Sequence, residues 1–135
     1  MKVLIDTNII LDIFQRREPF FSSSYSAMRK VIESNAGCLI SASAVTDIFY
    51  ILRKSLKSSK QAKEQIEKLS KLADFADVQG IDIQAALMRE MPDFEDAVVD
   101  AVAERHEVDY ILTRNIKDFT GSVVPAIEPE DFLGK

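Results

Sequence analysis

Five residues of this sequence carry oxygen donors of the kind that hydrolytic metal centres use: Asp6, Asp47, Asp96, Asn115 and Asp118. None does chemistry alone. Three or four carboxylates crowded together cannot all stay ionised unless cations neutralise them, and hard oxygen ligands select Mg²⁺ or Mn²⁺. The chemistry natural to such a cluster is phosphodiester hydrolysis, in which one or two metal ions hold the scissile phosphate and activate water. Other chemistries lack their residues. His106 is the only histidine and stands among charges near a helix end, so it reads as a solvated side chain; a serine triad and a histidine zinc site are discounted with it. Only Gly37, Gly80, Gly121 and Gly134 are present and none follows the first strand, so no glycine-rich phosphate loop exists. Nothing places two acids across a sugar-sized cleft, as a glycosidase needs.

The elements that must position these residues are legible from periodicity. From Pro92 to Phe119 the chain reads as helix, turn, strand and polar loop. Asp93 stands at the helix N-cap, and Ala97, Val98, Ala101 and Val102 give an apolar face up to about Glu107. Asp109 to Thr113 forms a short buried strand that runs into Arg114, Asn115, Ile116, Lys117 and Asp118. Upstream, Lys2 to Asp6 is a first strand, and Thr7 or Asn8 caps a helix from Ile9 to Phe14 on which Asp12 should be exposed. Pro19 to Asn35 is a second helix, Cys38 to Ser41 a second strand, and Ala44 to Leu56 a third helix with Asp47 in its first turn, where the helix dipole favours an acid in any case. A fourth helix capped by Ser58 or Ser59 runs to Ala73, Phe75 to Gln79 is a third strand, and Asp82 caps a fifth helix ending near Met91. Val123 to Ile127 is a fifth strand, and its Pro125 suits a sheet edge. Strands separated by helix pairs predict an α/β fold with a parallel sheet covered on both faces. Ligands bind at the carboxyl edge of such sheets, where Asp6, Asp47, Asp96, Asn115 and Asp118 all belong.

The 135 residues suit a single domain, residues 1–135, and a hydrophobic fraction of 47% is ample for one core. No run approaches the roughly 20 apolar residues of a membrane span, and Met1 to Ile5 opens as a strand, so a cytoplasmic protein without membrane association is expected. Cys38, the only cysteine, falls in an apolar run and reads as a buried small hydrophobe. The net charge of −5 argues against a polyanionic partner until its distribution is considered. Between Arg53 and Lys71 there are seven basic and two acidic residues, so one arm carries +5 and the remainder −10. Such asymmetry marks Lys57, Lys60 and Lys63, with Arg114 beside the acids, as candidate nucleic-acid contacts, although a lysine-rich helix is more often a solvated face.

Four segments resemble the successive motifs of PIN domains: Met1 to Asn8 (MKVLIDTN), Ile40 to Ile48 (ISASAVTDI), Asp96 to Ala101 (DAVVDA) and Ile111 to Asn115 (ILTRN). Their order and spacing are ordinary for that family and cover essentially the whole chain. The resemblance implies a three-layer α/β/α sandwich with a five-stranded parallel sheet in the order 3-2-1-4-5. It also implies a Mg²⁺- or Mn²⁺-dependent endoribonuclease, often the toxin of a toxin–antitoxin pair. By motif, Asp6, Asp47 and Asp96 match the metal carboxylates and Thr113 the hydroxyl that orients the first acid, with Asn8 beside it. Where the family commonly has Glu this chain has Asp47, and where it commonly has Asp it has Asn115, which keeps a carbonyl ligand but no charge. Asp118 is then the alternative fourth ligand. The rival expectation is a PIN-fold RNA-binding or scaffold protein of weak catalysis; a receiver domain fits less well, because Val123 to Ile127 contains no lysine. The phenylalanines and tyrosines of the first three helices would bury an antitoxin or a second copy, and a homodimer is expected.

Overall fold

The computed structural model describes all 135 residues, Met1 to Lys135. In chain order the elements are β1 (Lys2–Ile5), α1 (Thr7–Phe14), α2 (Phe21–Glu33), β2 (Gly37–Ser41), α3 (Ala42–Leu56), α4 (Ser59–Leu72) and β3 (Asp74–Ala76). They continue with α5 (Gly80–Leu87), α6 (Phe94–Arg105), β4 (Tyr110–Leu112), a 3-10 turn (Ile116–Phe119), β5 (Ala126–Ile127) and α7 (Pro129–Leu133). All four strand pairings are parallel and the order is β3-β2-β1-β4-β5. The expected α/β architecture and strand order are both present.

Period-two alternation sorts the sheet residues into two cores. Val3 and Ile5 of β1, Cys38 and Ile40 of β2 and Leu112 of β4 face a cluster built with α1, α2, α3, α4 and α7. Leu4, Leu39 and Ile111, the alternate residues, face a second cluster built chiefly by α6 with Ala86 of α5 and Phe119. Helices therefore cover both faces, and every strand–helix turn after β1, β2 and β4 opens at one edge. No helix is long and apolar enough to cross a membrane.

Several boundaries differ from the sequence expectation, each for a local reason. The fifth strand shrinks from Val123–Ile127 to Ala126–Ile127 because the Val123 and Val124 amides donate to the Asp100 carboxylate, both at 2.9 Å, and Pro125 has no N–H. The third strand stops at Ala76, because Gln79 already serves as the N-cap of α5. Asp82 is not that cap; it sits at the third helical position and accepts from the Gln79 amide at 2.8 Å. Helix α6 is apolar all round instead of on one face: every residue from Ala97 to Ala103 is buried, Asp100 included. His106 is not a free solvated side chain, since its Nε2 lies 2.9 Å from the Asp77 carboxylate.

Candidate active site

Asp6 ends β1 and caps α1. Its Oδ1 accepts the Thr7 amide at 2.9 Å, and its Oδ2 accepts Thr113 Oγ1 at 2.8 Å and Asn8 Nδ2 at 3.1 Å. The Asp6 amide in turn donates to the Leu112 carbonyl, so β4 holds Thr113 directly against the first acid. Thr113 is fully buried, and its oxygen also accepts Asn8 Nδ2 at 3.2 Å and the Asn115 amide at 3.1 Å. One hydroxyl thus sets the acid, the amide beside it and the loop that follows. Burial pushes the Asp6 carboxyl above its ordinary range against the hydrogen bonds from Thr113 and Thr7, and the nearby Asp118 pushes the same way.

Asp96, in the first turn of α6, is also pushed well above the ordinary carboxylate range. Loss of hydration, then the charges of Asp6 and Asp93, and finally that of Asp118, push it from 3.8 up to about 7. The structure therefore brings Asp6, Asp96 and Asp118 together, with Asp93 beside them. Asp93 caps α6, accepting the Glu95 amide at a long 3.4 Å. Its capping role is visible in the sequence; its place among the acids follows only from where α6 starts.

Asp47 and Asn115 stand differently. Helix α3 begins at Ala42, which moves Asp47 into the second turn, beyond the reach of the helix-dipole explanation for an acid there. Asp47 is exposed and is not among the principal charges acting on Asp6 or Asp96. It lines a cleft of about 280 Å³ with Thr7, Glu95 and the apolar Val78, Ile83 and Phe94. Asn115 is exposed, occupies the N-cap position of the 3-10 turn and makes no side-chain cap bond. No three carboxylate, cysteine or histidine groups converge closely enough, as the side chains stand, to ligate one ion.

Arg114, expected as an RNA contact, is committed elsewhere. Its Nε and Nη2 bind the two oxygens of Asp12 at 2.6 and 3.0 Å, and its guanidinium lies 3.8 Å from the Phe20 ring centre. Asp12 is fully buried, contrary to the expectation of exposure, and also accepts Ser24 Oγ at 2.9 Å. A signal existed: IILDIF is apolar on every side of Asp12, so the acid could not face water. The same signal, AVVDAVA, marks Asp100, which binds Arg89 Nε at 2.9 Å. Lys57, Lys60 and Lys63 form no ion pair with any of the acids. Lys57 lies at the turn joining α3 to α4, ten residues and roughly 15 Å of helix beyond Asp47.

Four aspartates in the molecule are buried. Asp12 has Arg114, Asp82 has Arg105 and Asp100 has Arg89. Asp6 alone among them has no cation, and neither Asp96, Asp93, Asp118 nor Asp47 takes part in any ion pair. The protein neutralises its other buried acids from within and leaves this set uncompensated.

Residues 2–117 match the PIN domain profile. The chain belongs to the PIN domain family. Among curated proteins, Ribonuclease VapC1 of Aquifex aeolicus is 25% identical over 134 residues, 97% of this chain and 92% of that protein. Among solved structures, VapBC2 from Rickettsia felis, bound to a DNA fragment from its promoter, superposes with a TM-score of 0.74 at 17% identity, covering 95% of this PIN protein and 98% of that chain. VapC20 of Mycobacterium tuberculosis, described as a sarcin–ricin-loop-cleaving toxin, gives 0.68 at 14% identity, covering 90% and 97%. At these identities the structural likenesses speak for the fold, and the order 3-2-1-4-5 is theirs as well as this chain's.

Proposed function

We propose that this PIN protein is a divalent-metal-dependent endoribonuclease and that it acts as the toxin of a toxin–antitoxin pair. The observation that carries the proposal is the uncompensated acid set: Asp6 buried without an arginine and Asp96 pushed up to about 7 by its acidic neighbours. An all-oxygen donor set with excess negative charge suits Mg²⁺ or Mn²⁺, with Asp6, Asp96 and Asp118 as the holding residues and Asn115 or Asp47 completing the shell. Such an ion neutralises phosphate charge and acidifies water when bound. The chain's own part is positional: Thr113 and Asn8 fix the Asp6 carboxylate, and the cleft between Asp47 and Glu95 leaves the scissile bond an approach. Its relatives' names support RNA as substrate and a small protein as partner. The exposed Tyr25 offers surface to that partner or to a second copy.

Cleavage of a labelled RNA in Mg²⁺ or Mn²⁺, absent with a chelator and lost in Asp96→Asn and Asp6→Asn, is the expected result. The second reading, an RNA-binding or scaffold protein, is favoured by one specific observation: no three acids converge on one point. RNA bound but intact at every metal concentration would decide for it. Copurification of the product of an adjacent small gene tests the partner.

A further inference from the structure

We propose that the tip of the α3–α4 arm docks single-stranded RNA, with Tyr50 stacking a base and Arg53, Lys54 and Lys57 holding phosphates. A pocket of about 590 Å³ lies there, lined by Tyr50, Arg53, Lys54, Lys57, Ser58 and Ser59. It begins at Tyr50, one turn of α3 beyond Asp47, and extends away from the acids to Lys57, and nothing in the catalytic reading uses it. Its three cations are all exposed, and none enters an ion pair, whereas Arg29, Arg89, Arg105 and Arg114 are each held by a carboxylate. Unpaired cations clustered around a concavity give phosphate a place to go without competition from the protein's own acids.

Tyr50 supplies what a bare basic patch lacks. Its side chain is 61% exposed, and its ring is braced edge-on by Phe49 at 5.5 Å. An aromatic platform beside a phosphate-binding groove is the arrangement that holds single strands without regard to sequence. Tyr50 also lines a second pocket of about 320 Å³, with Val45, Phe49, Ile66 and Lys63, which gives a base an apolar wall. The expectation for the lysines is thereby sharpened: Lys57 belongs to the phosphate pocket and Lys63 to the neighbouring apolar one, while Lys60 lines neither. Lys57 also holds a left-handed backbone, φ 55°, which glycine adopts more readily, so Lys57→Gly removes the charge and leaves the turn intact. The roughly 15 Å of helix back to Asp47 makes this a site for a strand several nucleotides long instead of a single nucleotide.

The proposal rests on RNA as the substrate of the acid site, so its test separates the two. Binding of a fluorescent RNA of about twelve nucleotides is measured without metal and over a salt series for wild type, Tyr50→Ala, Tyr50→Phe, Lys57→Gly and the double variant Arg53→Ala, Lys54→Ala. Tyr50→Ala should raise Kd at least about 5-fold while Tyr50→Phe does not. Each lost phosphate contact should reduce the salt slope by about 0.7. Kd and slope unchanged in every variant would overturn the docking site, whether or not wild type cleaves the RNA. Tyr50-dependent binding with no cleavage by wild type would keep the docking site and remove the nuclease reading. Binding of a poly-glutamate peptide that depends on Tyr50, with RNA binding that does not, assigns the surface to an acidic protein partner and overturns the proposal.

Discussion

At Asp12 and Arg114 a carboxylate with no exposed surface meets a guanidinium that is itself three-quarters covered. Removing one partner leaves a buried charge unpaired, so Asp12→Ala should cost about 3–5 kcal/mol. In thermal unfolding that is a fall on the order of 10 °C or more for a chain of this length. Replacing both residues by leucine should recover most of it. Thr113→Val keeps the shape and deletes the hydroxyl that donates to Asp6, so the Asp6 carboxyl should titrate higher still and metal-dependent cleavage should fall about tenfold or more. The choice of the proposed fourth ligand is tested at this scale too. Asp118 acts on both Asp6 and Asp96, while Asn115 makes no side-chain cap bond. Asp118→Asn should therefore reduce cleavage more than Asn115→Ala, and Asn115→Asp should tighten metal binding in a titration. Full activity in Asp118→Asn beside a dead Asn115→Ala would reverse the assignment.

Helix α6 positions the site by being tied down behind it. Its Asp100 binds Arg89 and the amides of Val123 and Val124, which joins the helix to the segment leading into β5. At its end, Arg105 grips Asp82 through Nε at 2.8 Å and Nη2 at 2.9 Å. These two clamps fix the axis of the helix whose first turn carries Asp96. Asp100→Ala leaves the buried Val124 amide and the partly buried Val123 amide without an acceptor and takes from Arg89 one of its two carboxylates, and should cost about 3 kcal/mol. Hydrogen exchange should quicken first at Val123, Val124 and Thr113, whose amide bonds Ile127, and later at the central strand β1. Uniform loss of protection across the sheet would show that Asp100 supports the whole fold and not this corner of it.

For the whole molecule the acid set predicts a stability that varies with pH and, through the proposed metal site, with divalent ions. Asp96 titrates from 3.8 when unfolded to about 7 when folded. Its contribution is therefore fully present below the unfolded value and is lost as pH rises from about 4 to 7. Asp6 acts in the same sense. The span sets a ceiling of about 4 kcal/mol, reduced by solvent screening because Asp96 is only half buried. Asp77 and Asp82, held below the usual carboxylate range, by Gln79 and by Arg105 in the first place, act oppositely, their stabilisation fading as pH falls. Comparing wild type with Asp96→Asn isolates the effect: the variant should lose the decline between pH 4 and 7. Divalent ion at ten times its Kd should add about 1.4 kcal/mol to wild type at pH 7.5, roughly 5 °C in Tm, and little to the variant. Identical curves with and without ion would remove the metal site.

Periodicity alone determined the element order, the parallel sheet and the edge at which the acids gather. Alternation in a strand and a 3.6-residue repeat in a helix are local properties, written in adjacent residues. The four motifs likewise located Asp6, Asp96 and Thr113, because each sits at a fixed offset from a strand end or helix start. Only tertiary structure decided which charges meet. Asp12 and Arg114 lie 102 residues apart, Asp82 and Arg105 lie 23 apart, and no local pattern pairs them. The same holds for β5, shortened by a carboxylate on α6, and for Asp47, displaced when α3 began two residues early. Electrostatic identity depends on distance through space and on water excluded by packing, and neither is a property of sequence neighbours. That is why the acids were legible as a group, while the one buried aspartate without an arginine became visible only once the chain was folded.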